Sequence, residues 1–330
     1  MKKALISAAA VAALGFAGAA QAETAVYGLF DFGVKQAIEK DADALIGGNG
    51  NSTTRFGVKS SLDVGDGVKA NFKYEAGFNA SNGAQVTDTD DDGVGDDLGL
   101  NFNRQAWAGL SGSFGEIRYG VQDNVAFDHF IGYDYNGWSN TASSAALAGT
   151  DLWGQSSQGN VLKYIAPAMG DLSASISLIQ ADPDAVGALG EQTEDIISVG
   201  ATYATGPISI SAAFATAGTK NQGKLTDEDY MGAAFQYDFG AFKANIGYHT
   251  RGDLATGIQF GAVTDINGVS VGFGYGTETE SEGTAYEIFA SKEIYKGVYA
   301  YGEFGSADKK TKAGNGDDVT GYAVGLILTF

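Results

Sequence analysis

Apolar residues alternate with small or polar ones at a period of two through most of this chain, and this alternation limits the fold more than any other feature. Leu172, Ala174, Ile176 and Leu178 alternate with Ser173, Ser175 and Ser177. Ile208, Ile210, Ala212 and Phe214 alternate with Ser209, Ser211 and Ala213, and Phe242, Ala244, Ile246 and Tyr248 with Lys243, Asn245 and Gly247. Val269, Val271, Phe273 and Tyr275 alternate with Ser270, Gly272 and Gly274. Successive side chains of a strand point to opposite faces, so each segment has one apolar and one small or polar face. A soluble sandwich could carry the same pattern. Two details favour a membrane barrel. Tyr203, Phe214, Tyr248 and Tyr275 end their apolar faces in an aromatic ring, where an interfacial girdle requires one. The connections also alternate in length. Tight turns at 63–67, 169–171, 205–207, 238–241, 265–268 and 295–297 are separated by long polar segments at 36–52, 80–100, 122–159, 181–194, 218–227 and 306–319. The predicted fold is an all-β transmembrane antiparallel barrel of about sixteen strands, each roughly ten residues long, with short periplasmic turns and long extracellular loops.

The start of the chain agrees with export. Lys2 and Lys3 precede an apolar run from Ala4 to Ala20, and Ala20-Gln21-Ala22 has the small-x-small form of a cleavage site. Residues 1–22 are expected to be a signal peptide and 23–330 a single barrel domain. No other apolar stretch is long enough for a membrane helix. The chain has 49 Gly and 35 Tyr plus Phe (16 and 19) but only 3 Pro, as suits many short strands whose N–H groups all pair. It has no Cys, and its formal charge of −20 argues against a nucleic-acid partner. Tyr322, Val324, Leu326, Leu328 and Phe330 form one apolar face at the end of the sequence. Such an ending resembles the signal that outer-membrane barrel assembly machinery reads, so that machinery and outer-membrane lipid are expected partners.

Several segments resemble the general diffusion porins of the Gram-negative trimeric family. Val26-Tyr27-Gly28-Leu29-Phe30-Asp31 is similar to the family's first strand. Thr53 to Lys59 and Val64 to Ala70 resemble the second and third strands with their turn, Asn103 to Leu110 and Gly115 to Gly120 the fourth and fifth, and Asn160 to Pro167 the sixth. The match is specific up to about residue 180; beyond that it is pattern and loop spacing. The resemblance implies a sixteen-stranded barrel, a homotrimer, and a third long loop folded into the lumen. It implies passive diffusion of small hydrophilic solutes and ions in the bacterial outer membrane. Val121 and Gln158 stand where the family often carries Arg, which predicts a less basic constriction.

The pleat assigns the lumen-facing charges. Arg55 and Lys59 share one face, opposite Phe56 and Val58; Lys69, Lys73 and Glu75 share one face, opposite Ala70, Phe72, Tyr74 and Ala76. Arg or Lys facing lipid near the midplane would cost roughly 2–4 kcal/mol, so those faces are the lumen. Arg104 is placed inward, on the fourth strand, by the porin resemblance. The loop after the fifth strand carries Asp123, Asp128, Asp134 and Asp151, some of which are expected to face this basic wall across the narrowest point.

Catalysis has little support in the sequence, and the chain is expected not to be an enzyme. Its two histidines are His129, in the proposed constriction loop, and His249, read as a solvated rim residue. Arg251-Gly252-Asp253 spells an adhesion tripeptide but reads as a chance turn, and Gly272-x-Gly274-x-Gly276 lacks the following helix of a nucleotide fingerprint. Asp88, Asp90 and Asp92 ahead of Gly93 resemble half of a calcium loop, but the twelfth position is Gly99 and not Glu. A solvated acidic loop is the preferred reading there, with calcium as the minor one and no other cofactor expected. The alternatives to a diffusion channel are a substrate-selective channel, whose lumen would carry a file of aromatic residues, and a barrel adhesin or enzyme.

Overall fold

The computed structural model describes residues 22–83, 101–138, 140–152, 158–181, 194–218 and 228–330. The strands among them are β1 (Ala22–Gln36), β2 (Ala44–Gly48), β3 (Arg55–Gly65), β4 (Val68–Gly77), β5 (Gln105–Gly112) and β6 (Gly115–Gln122). There follow β7 (Gln158–Ile165), β8 (Leu172–Ile179), β9 (Ile196–Thr205), β10 (Ile208–Ala215), β11 (Tyr230–Asp238) and β12 (Lys243–Arg251). The last are β13 (Ala255–Ile266), β14 (Val269–Glu278), β15 (Thr284–Tyr295), β16 (Val298–Ala307) and β17 (Val319–Thr329).

From β3 to β17 each strand pairs antiparallel with the next. β1 closes the ring. Its first half pairs with β3, from Ala22↔Leu62 to Leu29↔Arg55, and its second half with β17, from Leu29↔Thr329 to Gln36↔Tyr322. The Phe330 N–H donates to the Gly28 carbonyl (3.2 Å), and the Gly28 N–H donates back to the Phe330 carbonyl (3.1 Å). The five-residue β2 pairs only with β1, inside the first long loop, which leaves sixteen spanning strands as expected. A closed sheet has no open edge, the condition for strands in lipid.

Tight turns fall where the sequence places them. Between β13 and β14, Asn267 and Gly268 take φ of 54° and 79°, the left-handed pair of a two-residue hairpin. On the opposite end two connections are short where long ones would continue the alternation: 252–254 between β12 and β13, and 279–283 between β14 and β15. The apolar faces point outward. Ile176, Ile210, Ile246, Phe260, Phe273, Ile288, Phe304 and Val324 are all exposed large side chains. A continuous belt of this kind is stable against hydrocarbon and would be an aggregation surface in water. No described helix is long and apolar enough to cross a membrane.

The core lies inside the ring, between the wall and the third long loop (123–157). That loop carries α1 (Val125–Phe130), a 3-10 turn (Ile131–Tyr133) and α2 (Ser144–Ala148). Asn124 caps α1 by accepting from the Phe127 N–H (2.7 Å), and Gly149 ends α2 with a left-handed φ of 73°. α1 packs on β8, β9 and β10, and α2 on β14, β15 and β16. The loop therefore enters the lumen and runs along its inner surface. Phe130, Tyr133 and Leu152 are buried with Ala213, Ala215, Tyr230 and Ala234 of the wall, and Ala148 with Ala285, Ala307 and Val319.

Candidate functional site

The wall that the third loop leaves uncovered is basic. Its centre is Glu75 on β4, whose carboxylate accepts from Arg104 Nε (2.7 Å) and the Tyr27 hydroxyl (2.7 Å), with Lys73 Nζ at 3.5 Å. Lys59 and Lys73 stand over the Tyr27 ring at 5.6 and 6.0 Å. Register places these groups side by side: Lys59 faces Lys73, Gly57 faces Glu75, and Lys73 faces Trp107. Arg55 and Lys69 lie on the same two faces by parity. Arg104 precedes β5 instead of lying on a strand, and it has left the pleat: its N–H bonds the Glu75 carbonyl (3.1 Å) while its side chain turns to the Glu75 carboxylate. Two further cations extend the wall. The Arg118 guanidinium lies 4.2 Å from the Trp107 ring centroid and pairs with Glu116 (2.7 Å). Lys163 on β7, 1% exposed, bonds Asp128 (2.7 Å) and the Asp123 carbonyl. The sequence expectation of a less basic constriction rested on Val121 and Gln158; Arg118 and Lys163 are further cations on the neighbouring strands, Lys163 buried in its pair with Asp128.

The four loop acids separate into two pairs. Asp123 and Asp128 sit at the root of the loop, beside the basic wall. Burial and the neighbouring Asp128 carboxylate raise the Asp123 carboxyl to about 6, while Lys163, Lys73 and Arg104 pull it down. Asp134 and Asp151 do not face the basic wall. The Asp134 carboxylate closes a turn by accepting from Asn136 N–H (3.2 Å) and Gly137 N–H (3.1 Å), and burial beside Glu287 pushes its pKa well up. Asp151 accepts from Trp138 Nε1 (2.7 Å). Asp88, Asp90 and Asp92, the candidate calcium ligands, lie outside the described residues. Among the described residues no group of three or more acids, His or Cys could hold a metal ion.

The opposite wall holds the loop with carboxylates of its own. Glu287 on β15 accepts from the Ser144 N–H and hydroxyl (3.0 Å each) and from Asn136 Nδ2 (3.0 Å). Glu303 on β16 accepts from Asn136 Nδ2 (3.1 Å), Ala142 N–H (3.2 Å) and Asn51 Nδ2 (2.9 Å). Asp31 on β1 accepts from the Asn51 and Ser52 N–H groups (2.8 and 2.6 Å) and the Tyr301 hydroxyl (2.8 Å). One acidic latch thus joins the tip of the third loop to the first loop and the wall. The wall is also cut to fit. A Cβ on Gly257 would stand 2.7 Å from Thr150, and one on Gly276 would stand 2.8 Å from the Ser144 carbonyl. Of the Gly272-x-Gly274-x-Gly276 run, Gly274 and Gly276 form part of the seat for α2, while Gly272 makes room for the Phe289 ring.

At the other end of the loop the anchor is apolar and aromatic. Phe130 packs edge-on against His249 (4.7 Å between centroids), and His249 Nδ1 shares a hydrogen with the Tyr230 hydroxyl (2.8 Å). His249 is fully buried, which corrects its reading as a solvated rim residue; it follows Asn245 and Gly247 on the inner face of β12, and the loop covers it. Arg251 continues that face. Its Nε donates to the Leu152 carbonyl (3.0 Å) and its Nη1 to the Glu228 carbonyl (3.2 Å), so Arg251 itself is a loop anchor.

Below α1, toward the tight turns, six side chains form one hydrogen-bonded chain. Ser175 Oγ meets His129 Nε2 (3.0 Å), His129 Nδ1 meets Thr202 Oγ1 (2.7 Å), and Thr202 meets Ser211 (2.7 Å). Ser211 then accepts from the Tyr133 hydroxyl (3.0 Å), which also meets Ser209 (3.0 Å). Burial lowers the His129 pKa and keeps the ring neutral. The Ser and Thr members all come from the small-residue faces seen in the sequence. His129 and Tyr133 come from the loop, and no local pattern announces their partners.

Comparison with known proteins points one way. A profile described as Gram-negative porin matches residues 7–328. An outer membrane porin protein of Bordetella pertussis is 31% identical over 352 aligned residues, covering 96% of this chain and 87% of that protein. An anion-selective porin from Comamonas acidovorans superposes with a TM-score of 0.71 at 21% identity, over 94% of this chain and 100% of its own. OmpT of Vibrio cholerae, in its trimer form, superposes at 0.64 with 14% identity, over 94% of this chain and 99% of its own. At these identities the solved structures speak for the fold.

Proposed function

Since the chain belongs to the Gram-negative porin family and forms an outer-membrane channel for passive diffusion, we propose that its constriction favours small anions. One observation carries this reading. Arg55, Lys59, Lys73, Arg104 and Arg118 share the open wall, while Glu287, Glu303, Asp134 and Asp151 are engaged around the third loop. The formal charge of −20 works the other way at a distance. Salt screens it beyond about 8–10 Å, so the narrowest section follows the side chains that line it. The Comamonas relative is itself an anion-selective porin, which supports the reading. Liposome swelling tests it: an anionic solute should enter faster than a cationic one of equal size, and the reverse order would overturn it.

The same reading includes an assembly of three copies, each with its own channel, as the trimer form of the Vibrio relative suggests. A species at about three times the chain mass in mild detergent without heating is the expected result. Residues 1–22 are assigned as a leader removed on export, so the exported protein should begin at Glu23.

A further inference from the structure

The hydroxyl chain below α1 borders a recess of about 490 Å³ that also meets Arg118 and Asp128, the latter neutralised by its ion pair with Lys163 (2.7 Å), on the lumen side of β8 to β11. We propose that this recess is a binding station for a small polyhydroxylated carboxylate, of the sugar-acid class, on the periplasmic side of the constriction. This rests on the channel being permeable to anions and goes beyond it.

The position follows from register. Ser173 lies one residue past the start of β8, Ser209 one residue past the start of β10, and Gln236 pairs with Ser209 across β10 and β11. All three are close to the tight turns. The chemistry follows from counting protons. Ser175, neutral His129, Thr202, Ser211, Tyr133 and Ser209 carry six exchangeable protons, and the five links between them use five. Ser173 spends its proton on the Thr202 carbonyl (3.3 Å). The hydroxyl chain therefore offers mostly lone pairs, while Gln236, whose Oε1 accepts from the Tyr135 hydroxyl (3.0 Å), adds Nε2–H donors, so guest hydroxyls, which both donate and accept, match the lining. Arg118 offers the complement. Its guanidinium lies 4.2 Å from the Trp107 ring centroid and its Nη2 is bonded to Glu116, while the side chain stays partly exposed and presents its terminal N–H groups to the recess. A guanidinium in that state selects a carboxylate. Several hydroxyls and one carboxylate in a single small molecule satisfy both ends.

The probe is gluconate, added to single channels in a planar bilayer carrying chloride current. Hexanoate supplies the carboxylate without hydroxyls, and glucitol the hydroxyls without charge. Gluconate should reduce conductance saturably at lower concentration than either control. The double variant S173A/S209A should raise the half-blocking concentration roughly tenfold, the equivalent of two neutral hydrogen bonds. Its zero-current potential in KCl should stay at the wild-type value, because no charge has changed. Arg118→Gln should remove the advantage of gluconate over glucitol. Equal block by gluconate and hexanoate, or an unchanged half-blocking concentration in S173A/S209A, would overturn the proposal. Cation preference in the wild type would instead overturn the constriction reading and leave the comparison of gluconate with glucitol to judge the recess alone.

Discussion

The lumen has two walls of opposite charge and opposite duty. On the wall around β3 to β6, Arg55, Lys59, Lys73, Arg104 and Arg118 stand on the open side, with Glu75 and Glu116 as counterions. On the wall from β12 to β17, with Asp31 of β1, the carboxylates of Glu287 and Glu303 accept hydrogen bonds from the loop that covers them. Cations on the first wall act on whatever passes. Acids on the second act on the protein itself. The sign of a lumen charge thus says less about permeation than whether a loop amide has already engaged it.

The difference can be broken from the acidic side first. Replacing Glu287 and Glu303 by Ala removes acceptors for Asn51, Asn136, Ala142 and Ser144. Hydrogen bonds to a charged group contribute roughly 1.5–3 kcal/mol each, so the tip of the loop should detach. Single-channel conductance should rise well above wild type. Wild-type conductance in a folded double variant would show that the latch does not hold the constriction.

The apolar anchor should give a smaller effect. Phe130 is fully buried against Tyr230 and His249. Phe130→Ala should cost about 3–5 kcal/mol of packing. The latch remains, so current noise should increase while mean conductance changes little. Quiet channels would place the anchoring energy elsewhere.

The smallest effect concerns pH. Asp123 titrates at about 6, above the ordinary carboxylate value, so the folded state favours its neutral form. Stability from this group therefore falls as pH rises from about 4 to about 6. Acidification from about 7 to about 5 removes one negative charge from the loop root. At about 8 Å in a water-like dielectric that charge is worth about 0.5 kcal/mol to each ion, with opposite sign for anion and cation, and salt screening leaves somewhat under half of it, so anion preference should grow roughly twofold. Asp123→Asn should abolish the change; an equal change in that variant would assign it to another group.

Much of this was legible in the sequence. Period two fixes which residues share a face, and the cost of Arg or Lys against lipid fixes which face is inside, so Arg55, Lys59 and Lys73 could be placed from their neighbours alone. Arg104 needed more than parity, because it precedes β5 and its side chain follows Glu75 instead of the pleat. Arg118 and Lys163 obey the same alternation as the others and were readable from Ile117, Tyr119, Leu162 and Tyr164 beside them. The sequence expected some of the four loop acids to face the basic wall but could not separate Asp123 and Asp128 from Asp134 and Asp151, because all four share one loop. Their partners, and those of His249 and Glu287, come from residues far away in sequence, and no local period encodes such a meeting. The inward glycines at Gly257 and Gly276 carried a signal of another kind: a face stripped of side chains leaves room for something to lie on it.

The basic wall is tested most directly by the zero-current potential across a KCl gradient, measured on the wild type and on R55Q/R104Q. The wild type should prefer anions. Loss of two charges, each about 8 Å from the path, acts with opposite sign on anion and cation, about 2 kcal/mol in all, of which salt screening leaves somewhat under half, so the anion-to-cation permeability ratio should fall roughly fourfold. A potential of cation-preferring sign in the wild type, or the same potential in a correctly folded double variant, would contradict a basic wall that filters ions.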